Sequence, residues 1–257
     1  MILTLNIGNM DMTVGFYRSA EDKQVARLTL HKGMTEDDIA IRLREAMGLY
    51  GVEERPQGAI MASVAPTLTG AAARAVETVT GVAPLLVGPG LRTGLDIKIN
   101  DPSQLGADLV CMACGAADKY PLPALLISVD DCITLGYIDG QRRYLGTVIC
   151  AGPQLLMRSL AAHADLLSPV RLAPPARTLG TDTDESIRAG IIYGLAGTLD
   201  GLAARIRAER EVACVAATGA YCEDILPHCG FEYRYDRHLL TDGMYGIWQR
   251  QKKDKRL

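Results

Sequence analysis

The stretch LTLNIGNMDMTVGFY, Leu3 to Tyr17, decides how the rest of the chain is read. Apolar and polar residues alternate through LTLNIG, turn-forming residues follow at Asn9-Met10-Asp11, and alternation resumes through TVGFY. That is the pattern of two antiparallel strands joined by a tight turn. A third apolar run, VARLTL at Val25 to Leu30, extends the pair to a three-strand meander. The same pattern returns at LLISVDDCITLGYI, Leu125 to Ile138, with Asn6 opposite Ser128 and Gly8 opposite Asp130. Repetition of a meander within one chain implies two similarly built halves.

Working outward, Thr35 before Glu36, Asp37 and Asp38 reads as an N-cap with acids in the first turn, and Ile39, Leu43, Ala46, Met47 and Tyr50 repeat at helical spacing. A buried strand is expected at GAIMASVAP, a helix from about Thr67 to Thr80, and a strand at PLLVG. The second meander spans Pro123 to Gly152, with turns near Asp130-Asp131 and Asp139-Gly140-Gln141. After it come a helix from near Pro153, a long helix from about Thr183 to Arg210, the strand VACVAATG and two further helices. Strand and helix alternating after each meander predict an α/β protein in layers, each half a mixed sheet flanked by helices. Domains are expected over residues 1–120 and 121–257, with a cleft of the kind in which nucleotides bind. Along the long helix, Ile187, Ile191, Leu195, Leu199 and Leu202 form an apolar stripe that reads as a subunit seam, so a homodimer is expected.

Composition narrows the function classes. With 257 residues, 48% hydrophobic and 22% charged, the chain builds its core without disulfides or metal. A net charge of −3 without long single-sign blocks argues against a nucleic-acid or membrane partner; the basic Lys252 to Arg256 reads as a solvated tail. No apolar run is long enough for a membrane span and no basic leader precedes Ile2, so a cytoplasmic protein is expected. Seven scattered cysteines fit a reducing compartment. Cys111 and Cys114 form a C-x-x-C inside an apolar helical stretch and read better as buried thiols than as a redox or zinc site. Cys222, His228 and Cys229 lack a fourth ligand at suitable spacing, and His31, His163 and His238 stand alone.

Several glycine-rich turns occur in a recognisable order. Asn6-Ile7-Gly8-Asn9-Met10 stands where one family has D-x-G-N-T, and Gly88 to Leu95 keeps its G-P-G-x-x-T-G-L in full. Gly106-Ala107-Asp108-Leu109 matches G-A-D-R, and Ser128 to Thr134 stands at D-F-G-T-A-T-T. Tyr144 to Gly152 corresponds to Y-L-G-G-x-I-x-P-G, Gly180 to Thr183 to G-x-N-T, Ala189 to Gly194 to S-G-x-x-Y-G, and Thr218-Gly219-Ala220 to T-G-G. Over essentially its whole length the chain resembles the type III pantothenate kinases of the actin and sugar-kinase superfamily. The resemblance implies two duplicated ribonuclease H-like domains and ATP-dependent phosphorylation of pantothenate to 4′-phosphopantothenate, toward coenzyme A. It implies ATP as co-substrate, with Mg²⁺ and a monovalent cation, K⁺ or NH₄⁺.

By the same resemblance Asp108 is the general base for the pantothenate hydroxyl. Asn6, Gly8, Asn9, Asp131, Thr134, Thr218 and Gly219 fall at ATP and phosphate positions, where tight turns aim backbone N–H groups at phosphate oxygens. Gly90, Thr93, Gly94, Gly106 and Thr183 fall at substrate positions, and Asn6, Ser128 and Asp130 at cation positions. Four departures from the family fall at positions that carry chemistry, the Asp130-Asp131 pair counted as one. Asn6 replaces an acid that serves the metal, and Mg²⁺ prefers anionic oxygen. Ser128 replaces an acid associated with the monovalent cation. Asp130 and Asp131 stand where a glycine and a threonine would face phosphate, and a carboxylate ~4 Å from a phosphate charge costs on the order of 4 kcal/mol at an effective dielectric of 20. Leu109 replaces an arginine that holds the anionic substrate; Arg92, in the preserved Gly90 to Gly94 loop, reads as a substitute cation or as a surface arginine. Two functions are therefore expected to compete: the kinase, and a non-catalytic paralogue acting as subunit, sensor or regulator.

Overall fold

A computed structural model describes residues 1–164, 166–167 and 169–254; the end of the basic Lys252 to Arg256 tail lies outside them. The first meander forms as expected from β1 (Ile2–Ile7), β2 (Asp11–Tyr17) and β3 (Lys23–Thr29), with Asn6 paired to Thr13 and Thr13 to Arg27. β4 (Gly58–Ser63) runs parallel to β1, and β5 (Leu85–Leu86), shorter than PLLVG suggests, runs parallel to β4. The sheet order is β3-β2-β1-β4-β5, and a two-residue strand, β6 (Asp96–Ile97), follows in the chain. Before α1 (Glu36–Leu49), the Thr35 hydroxyl accepts the Asp38 N–H at 3.2 Å and the Asp38 carboxylate accepts the Thr35 N–H at 2.9 Å, a reciprocal cap. α2 (Pro66–Thr80) stops at Gly81, whose φ of 73° is left-handed.

The period of two assigns each strand residue a face. Leu3, Leu5, Ile7, Ala59 and Met61 pack under α1 and α2. Ile60 and Ala62 turn to the other face and pack with Val110, Cys111 and Cys114 of α3 (Ala107–Lys119) and with Met244 and Ile247 of α7 (Leu239–Asp254). Asn6, in register with Ala62, points to that second face. α3 and α7 approach closely because a methyl group on Gly243 would overlap the Cys111 carbonyl oxygen, and one on Gly115 the Leu239 carbonyl oxygen.

Two compact units result, residues 1–119 with 238–257, and residues 120–237. The expected division at 120/121 therefore needs correction at its end: α7, Leu239–Asp254, belongs with the first half. Leu239, Met244 and Ile247 are each 0% exposed, and Asp242 accepts bonds from Tyr17, Lys23 and Lys119, all in the first unit. Local pattern predicts the helix but not its partner.

In the second unit β7 (Ala124–Val129), β8 (Cys132–Ile138) and β9 (Arg143–Ala151) repeat the meander, while β10 (Cys214–Thr218) lies parallel to β7 and β11 (Arg234–Tyr235) parallel to β10. Leu125, Ile127, Val129, Val215 and Ala217 form a core with α4 (Pro153–His163), α5 (Thr183–Glu209) and α6 (Cys222–Ile225). This core takes up the stripe read above as a subunit seam: Ile187, Ile191, Leu195 and Leu199 are all buried in it, and Leu202 packs against it. The long helix is capped by Asp182, whose side chain accepts the Glu185 N–H at 2.8 Å, and starts at Thr183 as expected. Among the described residues no helix is long and apolar enough to cross a membrane.

Candidate functional site

In the first unit Asn6 ends β1 in a buried position, 7% exposed, and its Oδ1 has no hydrogen-bond partner among the described residues. The adjoining turn is closed by the Gly8 N–H, which donates to the Asp11 carbonyl at 2.8 Å. That amide is therefore spent within the turn, leaving exposed Asn9 at its tip. The Asp11 carboxylate accepts from Arg27 Nε at 2.5 Å, so it is paired with a cation of the same sheet.

The Gly88 to Leu95 loop is held by both helices of the second face. Gly90 and Gly94 take left-handed φ values of 90° and 77°. Thr93 is buried; its carbonyl accepts the Cys114 thiol at 3.3 Å and its hydroxyl accepts the Leu95 N–H at 3.2 Å. From α7, Gln251 Nε2 donates to the Arg92 carbonyl at 2.8 Å, and Arg250 lies over Gly94 while binding Asp118 at 2.5 and 2.6 Å. Cys114 thus acts as a loop fastener. Burial raises the neighbouring Cys111 thiol well above its ordinary pKa, which fits the buried-thiol reading of C-x-x-C.

Asp108 occupies the first turn of α3, partly buried, where the helix dipole complements a carboxylate. Its Oδ1 accepts the Leu109 N–H at 2.8 Å. A side chain on Gly106 would overlap that oxygen, so the glycine of this motif clears space for the acid.

In the second unit Thr218, Ser128 and Thr134 lie in one row across β10, β7 and β8, on the sheet face opposite the core of that unit. Thr134 Oγ1 is buried without a hydrogen-bond partner among the described residues. Asp130 closes the end of this row. Its Oδ2 accepts the Ser128 hydroxyl at 2.9 Å and its Oδ1 accepts the Ala220 N–H at 3.0 Å. Gly219 has a φ of 115°, and a methyl group there would press on the Val129 backbone. Asp131 is held through its main chain, its carbonyl accepting the Gly152 N–H at 2.8 Å. Thr183 is exposed and borders an open groove of about 750 Å³ walled by Leu156, Leu160, Ile187 and Ile191.

The Cys222 thiol donates to the Thr218 carbonyl at 2.8 Å, and burial pushes the Cys229 thiol up to about 12. His228 packs edge-on against Tyr193. Among the described residues no group of three or more His, Cys, Asp or Glu side chains is placed to hold a metal ion. The sequence reading missed two contacts, the Asp130–Ala220 bond and the Asp242 cluster, each joining residues about 90 or more positions apart.

The type III pantothenate kinase family profile matches residues 2–205. A type III pantothenate kinase from Moorella thermoacetica is 31% identical over 252 residues, covering 97% of this chain and 99% of that one. One from an Exiguobacterium species is 29% identical over 254 residues, covering 98% and 100%. Among solved structures, the activator of the 2-hydroxyisocaproyl-CoA dehydratase from Clostridium difficile with bound ADPNP superposes with a TM-score of 0.61 at 12% identity, covering 100% of this chain and 97% of that one. Such a likeness speaks for the fold alone, an actin and sugar-kinase type of α/β protein with two domains. With the profile match spanning most of its length, this chain belongs to the type III pantothenate kinase family.

Proposed function

We propose that this protein binds pantothenate against the Gly88 to Leu95 loop and works on its family's reaction, ATP-dependent phosphorylation of the pantothenate hydroxyl, at a rate held low by two altered hairpins. The observation that carries this is Asp108: a carboxylate in the first turn of α3, given room by Gly106, beside a loop pinned to the same helix through Cys114. Asp108 takes the proton of the attacking hydroxyl, and the loop, with Thr93 and Gly94, orients the substrate. The reading includes a cytoplasmic location and a homodimer, in which Thr183 and the exposed face of α5 lie near the subunit contact.

The residues at the cation positions do not fit the Mg²⁺ that the family implies. Asn6 offers a neutral amide oxygen, Asp11 is already paired with Arg27, and the Ser128 hydroxyl donates a hydrogen bond to Asp130. Mg²⁺ prefers one or two carboxylates. No step is assigned to a metal here. This same disagreement favours the second reading, a non-catalytic paralogue that senses or presents a small molecule, because Asp130 already uses the Ala220 N–H that a phosphate would need.

Calorimetric titration with pantothenate and, separately, with Mg-ATP tests both, together with ADP release. The proposal expects pantothenate binding and slow ADP release that falls at least about a hundredfold in Asp108→Asn. Pantothenate binding with no ADP release above background selects the paralogue. Binding of neither compound refutes both.

A further inference from the structure

We propose that Asp130 is a built-in stand-in for an oxyanion: its carboxylate occupies the donors of the second hairpin and so sets that hairpin's affinity for phosphate groups. This rests on the reading of the Ser128 to Thr134 hairpin as phosphate-facing, and it adds a specific device to it. The two carboxylate oxygens are divided between two donors, Ser128 Oγ on β7 and the Ala220 N–H in the loop after β10. A phosphate oxygen at the mouth of such a loop would take the same backbone donor. Bonds from N–H and O–H groups to an ionised acceptor are the stronger kind, so an incoming anion must displace them and also approach a fixed negative charge.

The turn that carries Asp130 is not free to swing away. The Asp130 N–H donates to the Cys132 carbonyl at 3.2 Å, the Tyr221 N–H to the Val129 carbonyl at 3.0 Å, and the Gly152 N–H to the Asp131 carbonyl at 2.8 Å. On one side Gly152 abuts the carbonyls of Asp130 and Asp131, and on the other Gly219 abuts Val129; neither position has room for a methyl group. Five contacts thus fix the main chain of the turn, and the bonds from Ser128 and Ala220 place the carboxylate on it. The equivalent place in the first unit, directly after Ile7 at the end of β1, is Gly8, which brings no side chain to its hairpin.

The test uses the full chain and inorganic pyrophosphate, titrated calorimetrically at fixed ionic strength without pantothenate. Asp130→Gly is expected to bind pyrophosphate at least about tenfold more tightly than the unmodified protein. Asp131→Ala, which removes the same charge from the neighbouring residue, is expected to gain less. Asp130→Asn, which keeps an acceptor for the Ala220 N–H, is also expected to gain less than the glycine variant. Equal gains for Asp130→Gly and Asp131→Ala would overturn the proposal in favour of net charge alone, as would equal gains for the glycine and asparagine variants. No gain in a glycine variant that melts like the unmodified protein would also overturn it; Asp130→Ala replaces that variant if it melts early. Pantothenate affinity is measured separately in each protein, so a failure of the proposed function is read independently of the pyrophosphate series.

Discussion

Substitution of Asp242 by alanine tests how the C-terminal helix holds the Gly88 to Leu95 loop. The Asp242 carboxylate, 11% exposed, accepts from the Tyr17 hydroxyl at 2.7 Å, from Lys23 at 2.5 Å and from Lys119 at 2.6 Å. Removing it leaves two ammonium groups facing one another without their anion. Breaking such a buried pair from one side costs about 3–5 kcal/mol, and the lower end applies because Lys119 is 35% exposed. At about 2–4 °C per kcal/mol for a protein of this size, Asp242→Ala should melt roughly 6–12 °C below the unmodified protein. Asp242→Asn, which keeps an acceptor for Tyr17, should lose less.

The same residue gives a signed pH dependence. Burial opposes charge on Asp242, but the bonds from Lys119, Lys23 and Tyr17 outweigh it and hold the carboxyl below its usual range. The folded pKa is therefore lower than the unfolded value of about 3.9, so this stabilisation is complete well above pH 4 and is lost as pH falls below it. The melting gap between the unmodified protein and Asp242→Asn should be constant from about pH 5 to 7 and should narrow toward about pH 3. Because Gln251 and Arg250 of the same helix fasten the Arg92 to Gly94 segment, pantothenate affinity should fall in Asp242→Ala along with stability. A variant that melts within about 2 °C of the unmodified protein at pH 7, or a gap that does not narrow in acid, would refute the reasoning.

Restoring the family residues together, with Asn6→Asp, Ser128→Asp, Asp130→Gly and Asp131→Thr, should raise ADP release by more than the sum of the single changes, since groups that act as a unit in the transition state are not additive. Additive or absent recovery in a folded variant would show that these positions are not what limits turnover. Sedimentation at micromolar concentration should give a dimer mass, and a monomer would remove the subunit contact from the proposal.

Both meanders were legible because alternation fixes which residues pair and which face they take: Leu3, Leu5 and Ile7 are buried together as their period of two requires. Thr35 was legible for a similar reason, since a cap is made within four residues. The placement of α7 was not. Its apolar residues show that it is buried, yet burial against α3 rather than α5 depends on glycines at Gly115 and Gly243, some 130 residues apart, fitting against one another's backbone. The α5 stripe misled for the converse reason. An apolar face at helical spacing says that it is covered and not by what, and here Leu125, Val215 and Ile225 cover it. At the site, the residue types were readable and their engagements were not: Asp130 reads as a turn acid, and only the fold brings Ala220 to it.

These engagements change how much each matched motif says about activity. Gly106, Gly152 and Gly219 each sit where a methyl group would strike a neighbouring carboxylate or backbone atom, so steric need alone is enough to hold them as glycine. Their presence is therefore evidence for the fold and weighs little for phosphoryl transfer. Gly8 is a milder case, with a methyl group there about 3.0 Å from the Asp11 carbonyl oxygen. The informative positions are those where the fold admits several residue types. At Asn6, Ser128 and Asp130 it holds an amide, a hydroxyl and a carboxylate that bonds its own chain, none of which supplies a free anionic ligand. Asp108 is the counterweight: it keeps a carboxylate at the head of α3, with its Oδ1 accepting the next residue's amide. The case for catalysis thus rests on Asp108, and the case against it on the two hairpins, which is why Asp108→Asn and the restored hairpins are the substitutions whose outcomes separate an impaired kinase from a protein that only binds.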